Sequence, residues 1–318
     1  MPLKILQQQF KPEKEELLRY FRRHYQLFLL LLPATVYFII NNYIPMAGFY
    51  LAFTDYKFPL GIFRSPFVGL QNFKFIYESG LMLRLVRNTV LYNLAFTAVG
   101  ITSELVIAIF LSEMYSRTFK KISQQVILLP HFISFVIVGA IAYNYLNTDY
   151  GVVNTLITGL GFEPVSFYSN KKIWPFLIVI FREWKAIGYG SVIFLAALSG
   201  IDPMLYESAD IDGATMWQKI RHITIPSVKG TIVILLLFSV GKIMRGQFEL
   251  FQNLVGGIGP LYSTTDIIET FVYRQITTTF DLGLGSAMGL FKALVGFVLI
   301  LTINTIAKRM TRGEHSLF

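Results

Sequence analysis

Residues 27–53 read LFLLLLPATVYFIINNYIPMAGFYLAF and contain no charged side chain. About 20 mostly apolar residues suffice to cross the hydrocarbon core of a bilayer, so this run alone forces a membrane-spanning helix. Five further blocks of similar character follow, which predicts spans over residues 26–53, 88–111, 126–146, 173–201, 226–251 and 284–307. A soluble fold would scatter its apolar residues on narrow stripes, and here they come in long blocks. Only 15% of the 318 residues are charged, against about 25% in soluble proteins. The fold class expected is therefore all-α, a polytopic membrane protein with six transmembrane helices. Prolines 33, 45, 130, 175 and 226 fall at or within these spans, where neighbouring helices can satisfy the freed backbone groups.

Charge sets the expected orientation. Fifteen lysines and arginines flank one set of loops: six before the first span, then Arg117, Lys120 and Lys121, then Lys219, Arg221 and Lys229, then Lys308, Arg309 and Arg312. The opposite loops carry eight. The positive-inside rule places both termini in the cytoplasm. The net charge of +9 follows from this anchoring, so no nucleic acid partner is expected. The first apolar run is too long for a signal-peptide core, and no small-residue cleavage site follows it. Residues 13–28, EKEELLRYFRRHYQLF, have the pattern of a basic amphipathic helix at the inner surface. The absence of cysteine excludes disulfides and thiol chemistry. Four dispersed histidines give no metal spacing.

One loop is organised. In SGIDPMLYESADIDGATMWQKIRHITIPSVKG, residues 199–230, Asp202 before Pro203 predicts an N-cap and first helical turn. Gly213 supplies a reversal, and Met216, Ile220 and Ile223 repeat with helical spacing before Pro226. A helix–turn–helix at the inner membrane face is suited to docking a cytoplasmic partner.

The residues Glu207, Ser208 and Ala209, then Gly213, then Ile223-Thr224-Ile225-Pro226 resemble the EAA loop of ABC importer permeases. That pattern is E-A-A, three residues, Gly, nine residues, I-x-L-P, and every spacing agrees. Ser208 replaces an Ala and Ile225 a Leu. Other stretches, including LLPHFISFVIVGAIAYNYLNTDYG and FREWKAIGYGSVIFLAALSG, are similar to carbohydrate-uptake permeases of the maltose-transporter type, above all the complex-oligosaccharide branch. The resemblance implies a type I ABC-importer permease fold: residues 1–25 as a basic cytoplasmic segment, 26–87 as the first helix and extracellular loop, 88–307 as the permease core with a coupling loop at 202–229, and 308–318 as a tail. It implies an ATPase-coupling role for Tyr206, Glu207, Ser208, Ala209, Asp212, Gly213, Ala214, Ile223 and Pro226. It further implies a second homologous permease, two copies of a cytoplasmic ABC ATPase and a sugar-binding protein outside. No cofactor is expected on this chain; ATP and Mg would be used by the partner ATPase.

Ionisable groups inside spans cost about 2.5–3.5 kcal/mol each on insertion scales and so mark sites or helix pairings. Trp184, Tyr189, Lys242, Arg245, Gln247, Glu249 and Asn253 form the candidate pathway, since sugars bind to hydrogen-bonding groups on aromatic platforms. Arg182, Lys185 and Lys242, taken singly, suit interhelical pairing or snorkelling as well. Lys292 is expected to meet a partner chain's carboxylate or the inner interface, and Glu104 stands alone in its span. No P-loop or nucleophile–base pair is present, so the chain is not expected to be an enzyme. An intramembrane sugar-processing enzyme would need paired carboxylates or a metal cluster, and a secondary transporter would usually show internal repeats. A permease for peptides or another non-sugar solute is the nearest alternative.

Overall fold

The structure, a computed structural model, describes residues 22–310. The amphipathic helix expected over 13–28 lies mostly outside the described residues, as does Arg312. Helices dominate, and among the described residues the only β pairing is one antiparallel bridge, Thr54 to Phe67.

The first span begins with α1 (Tyr25–Phe38) and continues through a π-turn (Ile39–Tyr43) and a 3₁₀ stretch (Ala47–Phe53). Its apolar window has no buried residue, so its sides are left for lipid or a partner, and only Ala52 at its end is buried in this chain. The π-turn has a cause. Pro45 follows two residues later, and its ring would clash with the carbonyl four residues earlier in a regular helix; a wider turn removes the clash. The same offset recurs at the π-turn Ile220–Thr224 and Pro226.

After α2 (Gln71–Glu78), the second span α3 (Leu81–Ser112) has 32 residues, about 48 Å at 1.5 Å per residue. It starts seven residues earlier than its apolar run predicts, so Arg84 and Arg87 ride on its first turns and are not loop residues. The third span is not one helix. Helix α4 (Arg117–Leu128) runs into a 3₁₀ turn (Leu129–Phe132), and the chain then bends by 96° into α5 (Phe135–Leu146). Ile133 and Ser134 are extended at the bend, and the Ser134 hydroxyl accepts from the Ile137 N–H to cap the new helix. Sequence hydropathy averages over such a break and misses it.

Helix α6 (Val152–Gly159) lies in the loop before the fourth span, α7 (Trp174–Ser199). Buried Asn154 closes that loop by donating to the carbonyls of Asn147 and Val165 and accepting from the Val165 N–H. A 72° bend leads to α8 (Pro203–Ile211), followed by α9 (Met216–Lys219). The fifth span departs from expectation at both ends. It starts at Lys229 with α10 (Lys229–Gly241), because a 57° bend follows Pro226, and it stops at Gly241. Thirteen residues cover only about 20 Å. Residues 242–247 are non-helical, and α11 (Phe248–Val255) resumes beyond them. Helix α12 (Ile268–Thr277) precedes the sixth span α13 (Leu282–Met310).

Packing is organised by α3, which contributes to three buried clusters. Tyr92 and Phe96 meet Trp174, Ile178 and Phe251; Leu85 meets Ile268 and Met288; Ala108 meets Phe194, Leu198 and Val228. The irregular chain between α11 and α12 is stitched to α3 by polar side chains. Asn88 donates to the Asp266 carbonyl at 2.9 Å and Tyr92 to the Thr264 carbonyl at 2.9 Å. Buried Asp266 takes a two-point contact from Arg274, at 2.6 and 3.2 Å.

Candidate functional site

Non-helical backbone at membrane depth persists only where protein or a water-filled cavity satisfies it. Both breaks in this chain border the same cavity. Its volume is about 500 Å³, and its wall includes His131 beside the third-span bend and Lys242, Arg245, Gly246 and Gln247 of the fifth-span break. Helix α3 contributes Asn93, Thr97 and Glu104, which recur on one helical face, and α7 contributes Arg182, Tyr189 and Gly190. Tyr189 stacks on His131 with ring centroids 4.6 Å apart and planes 11° apart, a flat aromatic surface in a polar wall. Gly190 makes room: a Cβ there would strike the Glu104 carboxyl group.

The charges of the wall fall into two classes. Arg182 is paired with Glu183, which is buried and takes a further bond from Ser103. Lys185, which is not among the wall residues, donates to the carbonyl oxygens of His131 and Ile133 at 2.5 Å, and to that of Pro130 at 3.4 Å. The Pro130 carbonyl keeps the Ile133 N–H, but the bend deprives those of His131 and Ile133 of helical partners, so Lys185 holds the break closed. Lys242 and Arg245, by contrast, are exposed and make no ion pair among the described residues.

The second site is the loop between α7 and α10. Asp202 caps α8 by accepting from the Met204 N–H at 2.9 Å, as the Asp-Pro pair predicts. The helix ends in a Schellman motif: the Ala214 N–H bonds the Ala209 carbonyl, and the Gly213 N–H bonds that of Asp210. Gly213 has φ +73°, the left-handed conformation. Thr215 and Gln218 form a reciprocal capping box that starts α9. The arms are tied by Lys219 to Asp210 at 2.7 Å, which raises the lysine pKa through that hydrogen bond, and by Tyr206 to Thr224 at 2.9 Å. The folded loop exposes Met204 (68%), Ile211 (88%) and Trp217 (72%).

Residues 104–312 match the family described as binding-protein-dependent transport system inner membrane component. The chain belongs to this family. The permease is 36% identical to protein LplB of Bacillus subtilis, over 91% of its own length and 90% of that protein's. It is 33% identical to the polygalacturonan/rhamnogalacturonan transport system permease protein YteP of the same organism, over 97% and 95%. Its fold matches a crystal structure of a bacterial alginate ABC transporter in complex with an alginate pentasaccharide-bound periplasmic protein. The TM-score is 0.81 at 31% identity, covering 94% of the permease and 99% of that chain. The protein is thus a membrane-spanning permease subunit of a binding-protein-dependent ABC importer, with the type I permease fold.

Within the permease, the structure brings Tyr189, Lys242, Arg245 and Gln247 to one wall. Glu249 lies beside them in an adjoining pocket with Arg245 and Gln247. Trp184 is not on that wall. It stands two residues past Arg182, about 200° around α7, on the opposite face. Asn253 is also absent: it bonds the Glu249 carbonyl at 2.7 Å, with its backbone against Gly139 of α5. Glu104, expected to stand alone, is part of the wall. Lys292 needs no partner chain, because it pairs with Glu269 of its own chain. The face shared by Asn93, Thr97 and Glu104, and by Arg182, Tyr189 and Ile193, was the periodic signal that could have found the cavity.

Proposed function

We propose that the permease forms half of the pathway for oligosaccharides bearing carboxylate groups, and that it couples their passage to a separate ATPase through the 202–229 loop. The observation that supports the substrate class is the pair Lys242 and Arg245. Both are cations in the wall of a membrane-embedded cavity, and neither has a carboxylate partner among the described residues. Unpaired charge at that depth is costly, and a carboxylated sugar would supply the missing anion as it passes. Glu104 and Glu249 lie in or beside the same wall without pairing to either cation, and they suit the sugar hydroxyls. The names of YteP and of the alginate transporter agree with this class.

In the reconstituted importer, Lys242→Gln with Arg245→Gln reduces uptake of an oligogalacturonide about tenfold, about 1.4 kcal/mol, between the ranges for exposed and buried ionic contacts. Uptake of the same oligosaccharide after carboxyl reduction changes little. Equal loss for both substrates would mean that the cations serve a carboxylate of the second permease.

The remaining assembly follows the ABC importer plan: a second, homologous permease, two ATPase subunits that use ATP and Mg, and a sugar-binding protein outside. The loop residues Tyr206, Glu207, Ser208, Ala209, Asp212, Gly213, Ala214, Ile223 and Pro226 dock the ATPase. Both termini and this loop face the cytoplasm. The native chain has no cysteine, so single-cysteine variants report cleanly. Ser116→Cys and Ser227→Cys resist an impermeant thiol reagent in intact cells, whereas Ser169→Cys reacts; all three sites are exposed. Labelling of Ser227→Cys from outside would reverse the orientation.

A further inference from the structure

The non-helical segment 242–247 is held from behind. The Gly246 N–H donates to Oε1 of Glu269 on α12 at 2.7 Å, and Lys292 of α13 donates to the same oxygen. The second oxygen, Oε2, is buried and has no hydrogen-bond partner among the described residues. It lies so close to the backbone that a Cβ on residue 246 would collide with it and with Ile267. Three elements thus meet at one carboxylate: the fifth-span break, α12 and the sixth span. Arg245 and Gln247, the immediate neighbours of Gly246, both line the cavity.

We propose that Glu269 is a positioning residue for translocation: its carboxylate fixes the Gly246 amide and so aims Arg245 and Gln247 into the pathway. Lys292 sets the carboxylate in turn. Without Glu269 the Gly246 amide would have only cavity water to bond, a partner that fixes no direction, so the acceptor on Glu269 determines where the segment rests. An ion pair meant only to join α12 and α13 would not need Gly246 at all. This inference rests on the cavity being the sugar pathway.

The test compares Glu269→Gln, Glu269→Ala and the exchange Glu269→Lys with Lys292→Glu, each reconstituted with the second permease, ATPase and binding protein. The substrate is a labelled oligosaccharide that the wild type takes up. Glutamine retains an oxygen for the Gly246 N–H, so its half-saturating substrate concentration stays within about threefold of wild type. Alanine removes the acceptor and raises that concentration about tenfold or more, with membrane amount and ATPase co-purification unchanged. The exchange restores an ion pair but puts a lysine, which cannot accept, opposite the amide; it fails as alanine does. Rescue by the exchange would reduce the pair to a structural link and overturn the proposal. Unchanged half-saturation in the alanine variant would overturn it equally. If the alanine variant fails to insert, the contrast between glutamine and the exchange still decides. Absence of oligosaccharide uptake by the wild type would instead remove the sugar-pathway reading, and this inference with it.

Discussion

Replacing Lys185 with methionine destabilises the permease far more than its single charge suggests. The methionine fills the same space and can make no hydrogen bond. The carbonyls of His131 and Ile133 then lose a charged donor held at 2.5 Å, at a bend where no helical N–H reaches them. An unsatisfied buried acceptor costs about 1–3 kcal/mol, so two fully buried ones would cost about 2–6 kcal/mol, and these two are part-buried. Water in the adjoining cavity reaches the His131 side and places the loss in the lower half of that range. Heating the detergent-solubilised variant and following the monodisperse fraction by size exclusion shows melting several degrees below wild type. Lys185→Arg, which still donates, loses less. A methionine variant that melts with the wild type would mean that the 96° bend is held by packing alone.

What the sequence made legible here was local. Asp202-Pro203, Gly213 and Ile223-Thr224-Ile225-Pro226 act on their own neighbours, so the cap, the Schellman turn and the bend follow from residues within four positions. The apolar blocks likewise marked all six spans. The breaks inside two of those spans were not legible, because their supports come from other helices. Lys185 stabilises a bend more than fifty residues earlier, and Glu269 holds Gly246 from across the fifth and sixth spans. Lys292 looked like a charge in search of another chain for the same reason: its partner lies on α12, outside the apolar run. Trp184 was drawn in by composition, although helical register separates it from Arg182 and Tyr189. Register was readable in the sequence; the wall that gives it meaning required the fold.

The largest functional effect is expected in the loop between α7 and α10. A non-glycine residue in left-handed geometry costs about 1–2 kcal/mol, and a β-branched one resists it most. In Gly213→Val the space around the new side chain is open, so the strain is conformational and the loop opens without disturbing the spans. The reversal would shift, and with it the relation of Met204 and Ile211 on α8 to Trp217 on α9. Glu207→Lys reverses charge on the exposed side of α8 and leaves the turn intact. Both variants reach the membrane in normal amounts, since insertion depends on the apolar spans. Each loses most of its ATP-driven uptake, about tenfold or more, the scale of one misplaced contact at an interface core. The direct measurement pairs recovery of the ATPase on tagged permease with labelled-oligosaccharide uptake in the same cells. The expected result is weak recovery, or normal recovery with uncoupled hydrolysis, and low uptake in either case. Wild-type uptake in both variants at wild-type abundance would contradict it.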